Sequence, residues 1–344
     1  MPKKILLKLL ANKTPLAGFN FKQIKSVLIR PIGYGLGDGI LLTAILKQLK
    51  QAYPDIKTGV LAIGRNSPVF QGNPYIDEIL QDKPLTYLLN RGKWQVFMDY
   101  VPTFTTKNIF CDFLLKPQYT ICFEKTSKKH YSAETVKNYD FYVPDLAKTH
   151  LSRSLELTPF KDYVKTDNPQ YTLPPIPADS ENKAKSFLKE GKIHLVFAPN
   201  GTDKELDKAE IQTILTTALK QYANKVQIII PFTQKSPEYA PLFKDFDYLL
   251  TPQLTLQQYF ALIKLADIIV AADSAPVHIA CAYKKPVAAF YGNKRAVELF
   301  APLIYPNSFM IPSLKLNNGP VRIIKDIDKT LSAGIIKNML SAFI

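Results

Sequence analysis

A chain of 344 residues exceeds the size at which one hydrophobic core usually stops growing, so two domains of about 150 residues each are expected. With 47% hydrophobic and 21% charged residues, it has the composition of a chain that buries a proper core, which excludes disorder. Its formal charge of +15, from 44 Lys and Arg against 29 Asp and Glu, favours anionic partners without choosing among nucleic acid, anionic membrane and a phosphorylated substrate.

No apolar run approaches the roughly 18 residues needed to cross a bilayer. In the N-terminal stretch, Lys3, Lys4, Lys8 and Lys13 alternate with Ile5, Leu6, Leu7, Leu9 and Leu10. A helix here carries an apolar stripe beside a basic flank, and it either rests on anionic lipid or packs on its own domain. No small-residue cleavage site follows, so a secretion signal is not expected. Cys111, Cys122 and Cys281 are odd in number and lack metal-ligand spacing, and the scattered His130, His150, His194 and His278 make no zinc cluster. A reducing compartment and no metal site are expected.

Ser26–Arg30 is a short apolar strand that runs into Pro31-Ile-Gly-Tyr-Gly-Leu-Gly-Asp38, and a helix over 40–52 follows, the opening of a βαβ unit. Further strands are predicted over 58–63, 95–98 and 119–122, with helical or irregular pieces between them. Residues 158–179 are polar and proline-marked and form the candidate domain junction, followed by a helix over 180–190 capped by Asp179 or Ser180. A second series of strands falls at 194–198, 226–230, 248–250, 266–270 and 286–290, with helices over 210–222 and 256–265. These near-continuous apolar strands belong to sheets covered on both faces, which gives two open α/β domains in tandem, residues 1–175 and 176–344. A final strand over 321–324 leads to a helix over 326–339 that either caps the second domain or crosses back to the first.

Three loops carry candidate chemistry. In the first, Gly35, Gly37 and Gly39 permit tight turns and close approach of a ligand to a helix start, though the loop lacks the Lys-Ser/Thr of a P-loop. Asp38 either takes a proton from an attacking hydroxyl or only caps the helix. In the second loop, Asn200, Thr202 and Lys204 can bind phosphate oxygens, or the segment is simply a surface turn. In the third, a buried strand ends in Asp273 and Ser274, and a helix begins near Pro276. Ser274 with the N–H groups of Ala275 and Val277 makes an anion pocket. His278 contacts a phosphate or sugar hydroxyl, or is structural, and Asp273 is expected to hold the loop through backbone hydrogen bonds.

These residues together resemble the bacterial heptosyltransferase family of lipopolysaccharide biosynthesis, glycosyltransferase family 9. The N-terminal likeness lies in Val27–Pro31, Gly37–Thr43, Tyr53-Pro54 and Gly72–Asp77, and the C-terminal likeness in Ala271–Ala280 and Lys285–Gly292. The resemblance implies a GT-B fold, two Rossmann-like domains facing each other across a cleft, with the acceptor on the N-terminal domain and the nucleotide sugar on the C-terminal one. It places the catalytic base on Asp38, the loop lysine on Lys204 and the phosphate-binding helix start on Ser274 to His278. It further implies an inverting, metal-independent transfer of heptose from ADP-heptose to an anionic lipopolysaccharide inner-core acceptor, by a cytoplasmic protein peripheral to the inner membrane. The sequence departs from the family pattern in Lys204-Glu-Leu-Asp207, which lacks the usual aromatic and proline, in Ser274-Ala275, and in Tyr34 and Leu36, which reshape the first loop. The alternatives are a transferase of the same fold with another nucleotide sugar or a protein acceptor, and a non-catalytic nucleotide- or nucleic-acid-binding protein. Nucleic acid is not expected, because the lysines are spread through the chain rather than interleaved with aromatics on one face.

Overall fold

Every residue of Ser26–Arg30 is buried, as a central strand of a parallel sheet must be when helices cover both faces. The computed structural model describes residues 3–62, 64–201, 204–303, 307–319 and 321–344. They form two compact units, Met1–Pro174 and Pro175–Ile344.

The first unit runs α1 (Lys3–Leu10), β1 (Ser26–Arg30), α2 (Leu36–Ala52), β2 (Lys57–Ala62), α3 (Ser67–Phe70), β3 (Glu78–Gln81), α4 (Pro84–Leu89), β4 (Val96–Asp99), α5 (Thr106–Leu115), β5 (Tyr119–Phe123) and β6 (Phe141–Val143). Its six strands lie in the order β3-β2-β1-β4-β5-β6, all parallel. Two of them, β3 and β6, have no counterpart in the sequence reading. Both are short edge strands that are only partly buried, so neither presents the apolar run of a central strand. Leu7 and Leu10 of α1 pack against a cluster containing Ala11, Phe104, Ile109 and Cys122, while Leu9 remains 64% exposed.

The second unit runs α6 (Ala178–Lys185), β7 (Ile193–Ala198), β8 (Glu205–Leu206), α7 (Lys208–Ile214), β9 (Val226–Ile230), α8 (Ser236–Tyr239), β10 (Tyr248–Leu250), α9 (Leu256–Leu265), β11 (Ile268–Ala272), α10 (Ala275–Ala282), β12 (Val287–Asn293), α11 (Lys294–Phe300), β13 (Ser308–Asn317), β14 (Ile323–Ile324) and α12 (Lys329–Ser341). Its parallel sheet has the order β10-β9-β7-β11-β12-β13, the same topology as the first. In both sheets the order reverses beside the first strand of the unit, between β1 and β4 and between β7 and β11. Ligands of open α/β sheets bind outside the carboxyl ends of the strands at this switch point.

Several boundaries differ from the sequence expectation for local reasons. Helix α6 begins two residues early, at Ala178 with Pro177 as its cap, and Asp179 lies inside its first turn, where its charge still favours the helix N-terminus. The helix expected over 210–222 is α7 continued by a π turn (Leu215–Leu219) and a 3₁₀ turn (Lys220–Tyr222). The strand expected over 321–324 is only β14, and it pairs with β8 rather than joining the main sheet. The sheet edge is β13 instead. Helix α12, capped by Asp328 on the Leu331 N–H at 2.9 Å, buries Ile336, Met339 and Leu340 in the core of the second unit.

Candidate active site

The first switch point lies where β1 gives way to the glycine loop. Helix α2 starts at Leu36, four residues before the expected start, so Gly37, Asp38 and Gly39 form its first turn and Gly35 is the cap. Asp38 Oδ2 accepts the Gly35 N–H at 2.9 Å, a reach-back that satisfies an orphan donor at the helix start. The glycines make room for this. A Cβ on Gly33 would collide with the Asp38 carboxyl group, and one on Gly35 would lie 2.9 Å from Asp38 Oδ2. Gly39 is needed on the opposite side, where a Cβ would come within 2.9 Å of the Cβ of Asn66. Buried Asn66 donates to Gly33 O at 3.1 Å and so braces the loop. Asn66 was not singled out by the sequence reading, and nothing local signals it. An ionised carboxylate can accept several hydrogen bonds, so the cap bond and a role as proton acceptor are compatible.

Beneath the loop lies a buried ion cluster. Arg30, the last residue of β1, is paired by strand register with Asp99, the last of β4. Arg30 Nη1 is 3.2 Å from Asp99 Oδ2, and Nη2 donates to Asp112 on α5. Lys125 Nζ, 2.9 Å from the same Asp99 oxygen, completes a neutral set of two cations and two carboxylates. Burial raises the Asp99 carboxyl, but its two cations outweigh that and hold it below its ordinary value. Asp112 has Arg30 and the Asn138 amide, 2.8 Å away, and there burial dominates and pushes it up to about 6.

In the second unit, the loop after β7 and the turn after β11 meet at the equivalent switch point. Lys204 and Asp273 form an ion pair across 69 residues of sequence. Asp273 was expected to bond backbone, but its carboxylate is almost wholly buried and takes the lysine instead, because a buried charge needs an opposite one. Burial raises Asp273 despite that partner. A lysine has three donors, so Asp273 fixes the ammonium at the loop without exhausting it.

The other residues of these loops have more varied placements. Asn200 Nδ2 donates to Thr233 Oγ1 at 2.8 Å and ties the loop to the segment after β9. Thr202 lies outside the described residues. Ser274 caps α10, but its hydroxyl donates to Ala272 O at 2.8 Å. The Val277 N–H, expected to be available to an anion, donates to Ser274 O at 3.1 Å. Pro276, second in the helix, has no N–H at all, which leaves the Ala275 N–H as the first-turn donor without an intrahelical acceptor. His278 is a full turn into the helix and 3% exposed, so its ring is packed in the interior, whereas Ser274 and Ala275 are partly accessible.

Gly201 lets the two segments approach each other. A Cβ there would lie 2.7 Å from Ser274 Cβ. Gly201→Ala is therefore expected to force the loop away from the helix start and weaken anion binding about tenfold, a cost of about 1.4 kcal/mol within the usual range for overpacking. Calorimetric titration of the variant with a nucleoside diphosphate checks this, and an unchanged affinity contradicts it. Glu205 on β8 anchors the loop's far limb: its carboxylate accepts from Lys235 at 2.5 Å and Tyr239 at 2.8 Å, which outweighs burial and lowers its pKa.

Two parallel sheets of identical Rossmann order, each with a glycine-containing loop and a helix start at its switch point, match the GT-B fold of the solved structures the chain resembles. The family model for glycosyltransferase family 9 (heptosyltransferase) matches residues 142–327, more than half of the chain. An Escherichia coli (strain K12) protein provisionally named lipopolysaccharide heptosyltransferase 4 is 27% identical over 342 residues, covering 92% of this chain and 88% of that one. Among solved structures, a glycosyl transferase family 9 protein from Veillonella parvula superposes with TM-score 0.70 at 14% identity, over 93% of this chain and 98% of that one. The E. coli ADP-heptose lps heptosyltransferase II superposes with TM-score 0.63 at 15% identity, over 93% and 99%. At these identities the structural likeness speaks to fold alone.

The chain belongs to glycosyltransferase family 9, and it is a GT-B glycosyltransferase related to the heptosyltransferases. Among the described residues, no group of three or more His, Cys, Asp or Glu could hold a metal ion, and no helix is long and apolar enough to cross a membrane.

Proposed function

We propose that the protein transfers a heptose from ADP-heptose to an anionic lipopolysaccharide inner-core acceptor, with inversion at the anomeric carbon. The observation that carries this reading is the placement of complementary chemistry at equivalent switch points. The first unit holds a carboxylate at a helix start, and the second holds a lysine and a helix start suited to a diphosphate. Asp38 removes the proton from the acceptor hydroxyl as that oxygen attacks the anomeric carbon, and the bond from that carbon to the diphosphate oxygen breaks. The charge that develops on departing ADP is taken up by Lys204 and the Ala275 N–H at the start of α10. Ser274 joins them if its hydroxyl turns from Ala272 O, which exchanges one hydrogen bond for another. Asn200 and Asp273 position the loop, and buried His278 supports the helix from within.

The reaction takes place at the cytoplasmic face of the inner membrane, where the glycolipid presents its phosphates and acidic sugars. The charge of +15 suits that surface, and Leu9 with its flanking lysines adds a peripheral contact. Incubation with ADP-heptose and a heptose-deficient core glycolipid, followed by mass spectrometry, tests the reading. Addition of one heptose with stoichiometric ADP release is expected. Transfer only from a different nucleotide sugar, or only to a protein, would replace this assignment with one of the same-fold alternatives.

A further inference from the structure

The residue between Gly33 and Gly35 is Tyr34. Its neighbours' backbones lie against the Asp38 carboxylate, while its own ring is 64% exposed. The ring lines a pocket of about 440 Å³, within the usual range for small-ligand sites, at the carboxyl ends of β2 and β3. Gly64, with φ of +55°, passes beneath the tyrosine, and the Arg65 N–H donates to Tyr34 O at 3.2 Å, so the aromatic is held from its backbone side.

The rest of the lining is charged, and Asp82 and Lys107 are tied together within it. Asp82 accepts Lys107 Nζ at 2.7 Å and Tyr87 OH at 2.5 Å, and the same tyrosine oxygen accepts from buried Arg30 Nη2 at 3.2 Å. Burial raises the Asp82 carboxyl, but Lys107 and Tyr87 outweigh it, so Asp82 is ionised and balances Lys107. Lys83 in the same lining has no ion-pair partner among the described residues and gives the pocket a net positive charge.

We propose that this pocket is a specificity-determining subsite that takes a sugar ring bearing a carboxylate or phosphate, with Tyr34 stacking on the ring and Lys83 and Lys107 receiving its anionic group. The assignment rests on the reading that the acceptor is bound by the first unit. It deepens that reading by naming the residues that select a charged sugar over a neutral one. An aromatic face recognises the apolar C–H face of a pyranose, and cations beside it discriminate by charge. The position of Tyr34 within the Asp38 turn puts this selection next to the proton-accepting group.

Saturation-transfer NMR on the full-length protein tests the subsite with glucuronate, glucose 6-phosphate and glucose as probes at millimolar concentration. Both anionic sugars are expected to bind at least about tenfold more tightly than glucose. Tyr34→Ala and Lys83→Met are each expected to weaken the anionic sugars about tenfold, while Tyr34→Phe retains them. ADP binding is measured on the same samples. Wild-type protein that binds ADP but none of the three sugars, or binds all three equally, overturns the subsite and leaves the transferase reading standing. Undiminished anionic-sugar binding by Tyr34→Ala also overturns it. Sugar selectivity in a protein that does not bind ADP supports the subsite and removes the donor reading.

Discussion

Replacement of Asp38 by asparagine is expected to lower turnover by a factor of about a hundred to ten thousand while leaving nucleotide affinity and thermal stability close to wild type. The asparagine side-chain oxygen can still accept the Gly35 N–H, so the helix start keeps its cap. It cannot take a proton from the acceptor hydroxyl. Removing the base without removing the cap separates the two roles available to this side chain. Steady-state kinetics with both substrates, beside a melting curve, check the separation. Near-normal turnover in the folded variant would end the assignment of Asp38 as the base. A variant that loses activity and stability together would make it a capping residue only.

Replacement of Arg30 by methionine is expected to destabilise the first unit by about 3–5 kcal/mol. The side chain is 1% exposed and faces Asp99 and Asp112, both buried, so its removal strands charge rather than freeing it. Lys125 still balances Asp99, which leaves Asp112 with only the Asn138 amide. The melting temperature is expected to fall by on the order of 10 °C. A change within a degree would contradict the account of the cluster.

The carboxylates of this cluster, with Asp82, contribute to the acid response of the wild-type fold. Asp82 and Asp99 lie below their ordinary values, so their contribution is fully present above about pH 4 and is lost as pH falls through the depressed values. Asp112, pushed up to about 6, acts in the opposite sense: its contribution is fully present below about pH 4 and declines as pH rises through 6.

The central strands were legible because burial on both faces leaves a sequence mark that needs no knowledge of partners. Ser26–Arg30 and Val226–Ile230, buried at every residue, fall where their apolar runs put them. The short edges β3 and β6 carry too little of that pattern, and the π turn at Leu215–Leu219 leaves no compositional signal. The loops at the switch points were legible as glycine-rich or Asn-Gly punctuation after buried strands. What those loops do with their side chains was less so. Lys204 meets Asp273 only because β7 and β11 are neighbours in the sheet, and Arg30 meets Asp99 only through the register of β1 on β4. Pairings of that kind depend on topology and have no local spacing. The role expected for the Val277 N–H failed for a purely local reason, since the tight first turn of α10 uses that donor on Ser274 O.

Thermal unfolding of the wild-type protein against ADP, UDP and GDP tests the central claim most directly, because a nucleotide that binds only the folded form raises its apparent stability by RT ln(1 + [L]/Kd). A concentration-dependent rise with ADP that exceeds those with UDP and GDP, and is smaller in Gly201→Ala at equal concentration, is the expected result. No shift with ADP, or a larger one with UDP, would contradict an ADP-linked donor at the Lys204–Ser274 loops.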